Sequence, residues 1–272
     1  MQRAAWVDAH CHLQDPRLDA SSSDVLARAA RDGVVAISSC ACTEAEWARW
    51  PAFAAAHATT SVQLLPAFGI HPWFAGDASA SYLSALEATL RLHPTASVGE
   101  IGLCKSRRGA AVPMAIQDAR FREQLQLAAR LERSVVVHCV GAYGKVLDAL
   151  TQIPQPRPVV LHSFNGATEI VRSFARLKQT RVYFSIATKL MGTEKATEML
   201  RAIPIERLLL ETDSPDQLPL ELAHEVELNE PSVLPRVAAA LAATLQLPLE
   251  ALAAQTTKNA LEAYGVEEGC RQ

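Results

Sequence analysis

No uninterrupted apolar run in the 272 residues approaches the length that crosses a bilayer. The first residues also lack the basic, apolar and small-residue succession of a secretory signal. Both absences lead to the expectation of a cytoplasmic or otherwise intracellular protein with no membrane partner, a nuclear or organellar location being left open. The six cysteines include no CxxC pair, so the usual mark of structural zinc is missing and reduced thiols are expected. Charge of one sign is lacking too: 26 Lys plus Arg stand against 29 Asp plus Glu, a net charge of −3 that gives no general attraction for polyanions. Any nucleic-acid contact must therefore use a local basic patch. No GxGxxG turn follows the first strand-like run, which argues against an open dinucleotide-binding sheet. No linker, low-complexity tract or domain boundary interrupts the chain, so residues 1–272 read as one domain.

What the chain does contain is a repeated alternation. Apolar, β-type runs recur at Ala5 to Ala9, Val34 to Ser39, Val62 to Phe68, Ala96 to Ile101, Ser134 to Val137, Pro158 to Leu161, Arg181 to Ile186 and Arg207 to Leu210. Between them lie Ala- and Leu-rich stretches of helical period. In Asp118 to Leu131, for example, Phe121, Leu125, Ala128 and Leu131 share one face. Eight strand–helix units in a chain of this length predict a (β/α)8 barrel, with Pro231 to Tyr264 forming two closing helices split at Leu247-Pro248. A 49% hydrophobic content is enough to fill its core.

Groups able to bind metal stand where those runs end: His10, His12, Glu100, His138, His162 and Asp213. The C-terminal strand ends of a barrel converge on one face, so residues far apart in sequence can meet there as a two-metal hydrolytic site. Alternation along a strand points His10 and His12 the same way and Cys11 the other; alone, such a pair is as readily an exposed or hydrogen-bonded one. Glu100 lies in an apolar Val-Gly-Glu-Ile-Gly run, where a buried carboxylate needs a cation, either a metal ion or a barrel Arg or Lys. His138 and His162 close the fifth and sixth runs and are open to a metal or to hydrogen bonds in the core. Asp213 follows the eighth run and can reach back to the first, as a ligand and proton acceptor or as a turn cap.

Around these lie candidates for substrate contact. His71 precedes Pro72 after the third run. Lys105, Arg107 and Arg108 make a positive loop after the Glu100 run, readable as a phosphate site or as an ordinary solvated face. Lys189 adds a further positive charge, and Asn165-Gly166 is placed to open a helix whose free N–H groups face an anion. His57, His93 and His224 lack strand-end neighbours and read as surface residues.

The ordered set Asp8-Ala9-His10-Cys11-His12-Leu13, Gly69-Ile70-His71-Pro72, Val98-Gly99-Glu100-Ile101-Gly102-Leu103, His138, His162 and Leu210-Glu211-Thr212-Asp213-Ser214-Pro215 resembles the TatD family of metal-dependent deoxyribonucleases. Asn229-Glu230-Pro231 and Thr257-Lys258-Asn259 extend the likeness nearly end to end. The resemblance implies two divalent ions, one held by His10, His12, Glu100 and Asp213 and the other by Glu100, His138 and His162, with Glu100 as the bridge. It implies magnesium or manganese, whereas the imidazole-rich ligand set also suits zinc. The implied activity is 3′ to 5′ exonucleolytic cleavage of DNA, with single-stranded or end-frayed DNA as substrate and no obligate protein partner. The chain departs from the family at Cys104, where Asp is common, and at Cys139-Val140-Gly141, where many members have an Arg-Asp pair. The loop from Pro215 to Pro219 matches only some members.

The expected chemistry is phosphodiester hydrolysis with Glu100 and Asp213 as the catalytic carboxylates, Asp213 taking the proton. Two other readings share the same residues. One is an amidohydrolase-like carboxylic ester or amide hydrolase, including a D-aminoacyl-tRNA deacylase; the other is an inactive metal-binding scaffold.

Overall fold

The computed structural model describes residues 4–19, 21–187, 193–219, 222, 224 and 227–266. Eight parallel strands run in sequence order around a (β/α)8 barrel. They are β1 Trp6–Cys11, β2 Val34–Ala41, β3 Gln63–Phe68, β4 Ser97–Cys104, β5 Val135–Val140, β6 Val159–Leu161, β7 Val182–Ile186 and β8 Leu208–Leu210. The barrel expected from the alternation is thus the fold observed. β4 and β5 each run three residues past the sequence-based ends, so His138 lies inside β5, as Glu100 lies inside β4.

The helices around the described part of the barrel are α1 Pro16–Asp19, α2 Ser22–Arg31, α3 Glu44–Ala56, α4 Tyr82–Leu92, α5 Met114–Arg130, α6 Tyr143–Gln152, α7 Thr168–Ala175, α8 Glu194–Ala202, α9 Leu234–Leu245 and α10 Leu249–Tyr264. α5 buries Phe121, Leu125 and Ala128 at the spacing of one helical face, starting one turn earlier than the apolar period alone indicated. α3 opens at Thr43, whose side chain accepts the Glu46 N–H at 3.3 Å, and the break at Leu247-Pro248 separates α9 from α10 as expected.

Two apolar layers hold the barrel. Strand residues such as Ile37, Phe68, Ile101, Val137, Leu161 and Phe184 join helix residues in one large buried cluster. Their alternates Ala36, Leu65, Val136, Val160, Tyr183 and Leu209 form a second cluster that fills the inside. Burying an aliphatic side chain of this size contributes about 1.5–3 kcal/mol.

The seam between β8 and β1 closes through the backbone just past β8. The Asp213 N–H donates to the His10 carbonyl at 3.0 Å and the His12 N–H to the Ser214 carbonyl at 2.7 Å. α10 locks the same pair of strands: the Thr257 hydroxyl donates to the Ala5 carbonyl at 2.6 Å, and Asn259 Nδ2 donates to the carbonyls of Ile205 and Leu208, each at 2.8 Å. The Thr-Lys-Asn motif therefore has a structural task. Among the described residues no single helix is long and apolar enough to cross a membrane.

Candidate metal centre

Strand packing decides where each ligand atom points. A Cβ at Gly102, whose φ is +147°, would lie 2.0 Å from the His138 carbonyl oxygen, so only glycine lets β4 press this closely on β5. That approach sets Glu100 beside His138, with Glu100 Oε1 2.6 Å from His138 Nδ1 and 2.7 Å from His162 Nε2. The two imidazole nitrogens are 3.1 Å apart. The other carboxylate oxygen faces the opposite way, 3.4 Å from His10 Nε2 and 3.3 Å from His12 Nε2. Asp213 Oδ1 completes this second group at 3.3 Å from His10 Nε2 and 3.6 Å from His12 Nε2, those two nitrogens being 3.1 Å apart.

The six strand-end residues therefore meet at one mouth, and Glu100 faces a set of donors with each oxygen. Among the described residues its ion-pair partners are all histidines, with no barrel Arg or Lys among them. Burial alone would push the Glu100 carboxyl up. The imidazoles facing it, His162 foremost and then His71 and His10, hold it well below the usual carboxylate range. Burial pushes His162 down, but the Glu100 charge and then Glu211 outweigh it and lift the imidazole well above its ordinary value. His12 rises against burial through Cys42, Asp213 and Glu100. Such a cluster balances its charge either with protons on the rings or with cations.

The donor set fits a metal. A tetrahedral ion bound at about 2.0–2.1 Å needs donor–donor separations of about 3.3–3.4 Å. The separation between His10 and His12 and those from each of them to Glu100 and to Asp213 run from 3.1 to 3.6 Å, and His10, His12 and Asp213 gather as one three-donor set. On the other side of Glu100, the His138, His162 and Glu100 atoms lie at 2.6 to 3.1 Å, the distances of hydrogen bonds rather than of a filled shell.

The surrounding side chains fix these ligands. Asp8 is fully buried beside His10; its Oδ1 accepts the Thr212 N–H at 3.0 Å and its Oδ2 the Thr212 hydroxyl at 2.6 Å, tying β1 to the Asp213 loop. Burial raises the Asp8 carboxyl to about 7, with the Thr212 bonds opposing the rise. Asn229 Nδ2 donates to the carbonyls of Thr212 at 2.7 Å and Asp216 at 2.9 Å, and the Ser214 hydroxyl donates to the Asn229 carbonyl at 2.7 Å. Asp213 itself is in the left-handed region at φ 55°, and Gln217 Nε2 donates to its Oδ2. Glu211 Oε1 accepts the Ser163 N–H at 2.6 Å and lies 3.6 Å from His162 Nδ1.

The sequence-based substrate candidates separate in space. His71 reaches the centre, with Nε2 3.3 Å from Glu100 Oε1, and burial brings its imidazole down to about 3. Arg108 lines the same cleft, but Lys105 and Arg107 do not. Asn165 lies on the exposed rim, where the Tyr143 hydroxyl donates to its Oδ1 at 2.7 Å, and α7 opens at Ala167 instead. Lys189 and Cys270 fall outside the described residues. His57 corrects the sequence reading: it is buried, with Nδ1 2.8 Å from the Phe53 carbonyl and Nε2 3.1 Å from the Ser22 hydroxyl, because α3 packs it against the start of α2.

Sequence reasoning passed over several residues around the centre. Cys40 Sγ lies 3.5 Å from His10 Nδ1, and Cys42 Sγ lies 3.8 Å from His12 Nδ1 and 4.0 Å from Glu100 Oε2. A Cys-x-Cys at the end of β2 beside a His-x-His at the end of β1 was the available signal, legible only once the strands were paired. Trp73 was also missed, although it follows His71-Pro72 directly. Cys104 points its sulfur at the Trp73 indole N–H, 3.2 Å away, and at the Ser106 hydroxyl, 3.0 Å away.

Comparison with known proteins agrees with this geometry. The model of the family described as TatD related DNase matches residues 7–265. The 3′-5′ ssDNA/RNA exonuclease TatD of Klebsiella pneumoniae (strain 342) is 32% identical over 205 residues, 73% of this chain and 76% of the relative. The metal-dependent hydrolase YjjV of Escherichia coli (strain K12), itself uncharacterized, is 30% identical over 264 residues, 96% of this chain and 98% of YjjV. The crystal structure of YjjV superimposes with a TM-score of 0.86 at 27% identity, covering 98% of this chain and 100% of that one. The human deoxyribonuclease TATDN3 is 28% identical over 268 residues, 95% of this chain and 94% of the relative. With its barrel, its buried carboxylate among imidazoles and a family match over almost its whole length, the chain belongs to the TatD-related DNase family and is a metal-dependent hydrolase.

Proposed function

We propose that the protein cleaves phosphodiester bonds of nucleic acid with two divalent ions shared through Glu100, acting as a 3′ to 5′ exonuclease on single-stranded or frayed ends. The observation that carries this reading is the division of labour at Glu100, whose Oε2 faces His10 and His12 while its Oε1 faces His138 and His162. His10, His12, Glu100 and Asp213 would hold one ion, and Glu100, His138 and His162 the other. When bound, such a pair activates water and stabilises charge on the attacking and leaving oxygens.

The chain's own residues do the rest. Asp213, fixed by its backbone bond to His10 and by Gln217, presents a carboxylate that accepts the proton from the attacking water. Burial keeps His71 neutral at physiological pH, so its Nε2 edge is suited to orient the substrate rather than to repel a cation. Arg108 supplies the positive charge at the cleft, while Lys105 and Arg107 add to the field from outside it. The imidazole-rich donors, with the Cys42 sulfur close by, favour zinc over magnesium or manganese. Cysteines 11, 40, 42, 104 and 139 are buried free thiols, in keeping with a reducing, cytoplasmic setting.

The test incubates metal-loaded protein with 5′-labelled single-stranded DNA, blunt duplex DNA, RNA and an aminoacyl ester, each with and without chelator. Chelator-sensitive, one-nucleotide shortening of single strands from the 3′ end is the expected result. Turnover of the acyl ester alone would transfer the site to carbonyl chemistry, and no turnover of any substrate would make it a metal-binding scaffold.

A further inference from the structure

Two arginines line the cleft, and only one is free to meet substrate. Arg17 is occupied, with its guanidinium 2.8 Å from Asp15 and 2.9 Å from Asp216. Arg108 has no carboxylate partner among the described residues and sits over an aromatic surface, its guanidinium carbon 4.0 Å from the Trp73 ring centroid and 5.7 Å from that of Phe74. A guanidinium held against an indole keeps its N–H donors in the plane of the stack, where they can reach a phosphate, and leaves its other face open to a base.

The surroundings fix this stack in place. Trp73 sits on the turn Pro72–Phe74, two residues past His71, and its ring lies edge-on to His71 at 4.4 Å and to His138 at 5.8 Å. Its indole N–H is tied to Cys104 at the end of β4. Gln117 of α5 staples the loop that carries Arg108: its Oε1 accepts the Cys104 N–H at 2.8 Å, and its Nε2 donates to the carbonyls of Gly109 and Val112, each at 2.9 Å. A Cβ on Gly109 would lie 2.4 Å from the Cys104 carbonyl oxygen, so the residue next to Arg108 is pressed directly onto the strand end.

We propose that Trp73 and Arg108 form a nucleotide-gripping tier beside the metal centre. Arg108 binds the phosphate next to the scissile one, and the adjacent base of a single strand stacks on the outer face of its guanidinium. Trp73 is the positioning residue beneath it, and Cys104 fixes the indole edge. The inference rests on the phosphodiester reading and adds to it the group that recognises the strand. It also gives the Cys104 departure a purpose, because the thiol serves the tryptophan.

The experiment measures KM, kcat and the salt dependence of kcat/KM on a labelled single-stranded oligodeoxynucleotide. It compares the metal-loaded wild type with Arg108→Gln, Trp73→Leu, Trp73→Phe and the Arg108→Gln/Trp73→Leu double variant. Arg108→Gln is expected to raise KM at least tenfold and to reduce the slope of log(kcat/KM) against log[salt] by about 0.7, the value for one phosphate contact on a single strand. Trp73→Leu removes no charge, yet it is expected to lose much of the same slope. Trp73→Phe restores most of it by returning a ring under the guanidinium, and the double variant is no worse than Arg108→Gln. A wild type that cleaves the oligonucleotide while both single variants keep its KM and slope overturns the tier and leaves the phosphodiester reading standing. A wild type that cleaves no oligonucleotide overturns both.

Discussion

Glu100 Oε1 and His162 Nε2 stand 2.7 Å apart at the barrel mouth, although β5 separates the strands that bear them. The contact exists because the carboxylate projects inward from β4 and meets imidazoles from both sides. Glu100→Gln keeps the shape and removes the charge. Its effect on metal affinity is expected to exceed the roughly 10–100-fold typical of an outer-sphere change. Competition with a chromophoric chelator reads this directly; unchanged affinity would show that Glu100 is not a ligand.

Metal binding should depend on pH in one direction. His138 is lifted above its ordinary value, and His12 and His162 well above, so in the metal-free protein they hold protons that bound metal must displace. Affinity therefore rises with pH, by about tenfold per unit for each proton released. Calorimetry in buffers of different ionisation enthalpy counts those protons, and a count of zero contradicts the charge balance drawn here.

Asn229 is the keystone of the Asp213 loop. Asn229→Ala deletes the side-chain hydrogen bonds to the carbonyls of Thr212 and Asp216 and the one accepted from the Glu230 N–H, at a cost of about 2–3 kcal/mol. Chemical denaturation should show the loss, and metal affinity should fall with it because Asp213 is no longer held. Loss of stability alone would mean that Asp213 is positioned by other contacts.

Far from the cleft, the Tyr82 hydroxyl and Arg120 both bond Glu123. Burial pushes the Glu123 carboxyl up, but these two partners outweigh it and hold it below its ordinary value. A lowered folded value means the contribution is complete above about pH 4.3 and is lost as pH falls through the folded value. Glu123→Gln should cost about 0.5–1 kcal/mol at neutral pH, the range of an exposed ion pair with one neutral hydrogen bond. The difference from wild type should shrink in acid, as thermal melts at several pH values would show.

The strands were legible because parallel barrel strands are buried on both faces and read as short aliphatic runs, and those runs carried or led into the six candidate residues that meet at the mouth. Pairing between strands was not legible in the same way. Cys42 beside His12 depends on the β1–β2 register, and the Trp73–Arg108 stack joins loops after β3 and β4 that share no periodic signal. His57 looked like a surface residue because it ends an alanine-rich helix, whereas its burial comes from α2, which periodicity within α3 does not reveal.

The central claim is that Glu100 holds a cation with each of its oxygens. Anomalous diffraction from crystals soaked in manganese or zinc tests it most directly. The account predicts two peaks flanking Glu100, one among His10, His12 and Asp213 and the other between His138 and His162. A single peak, or peaks away from this carboxylate, would contradict it.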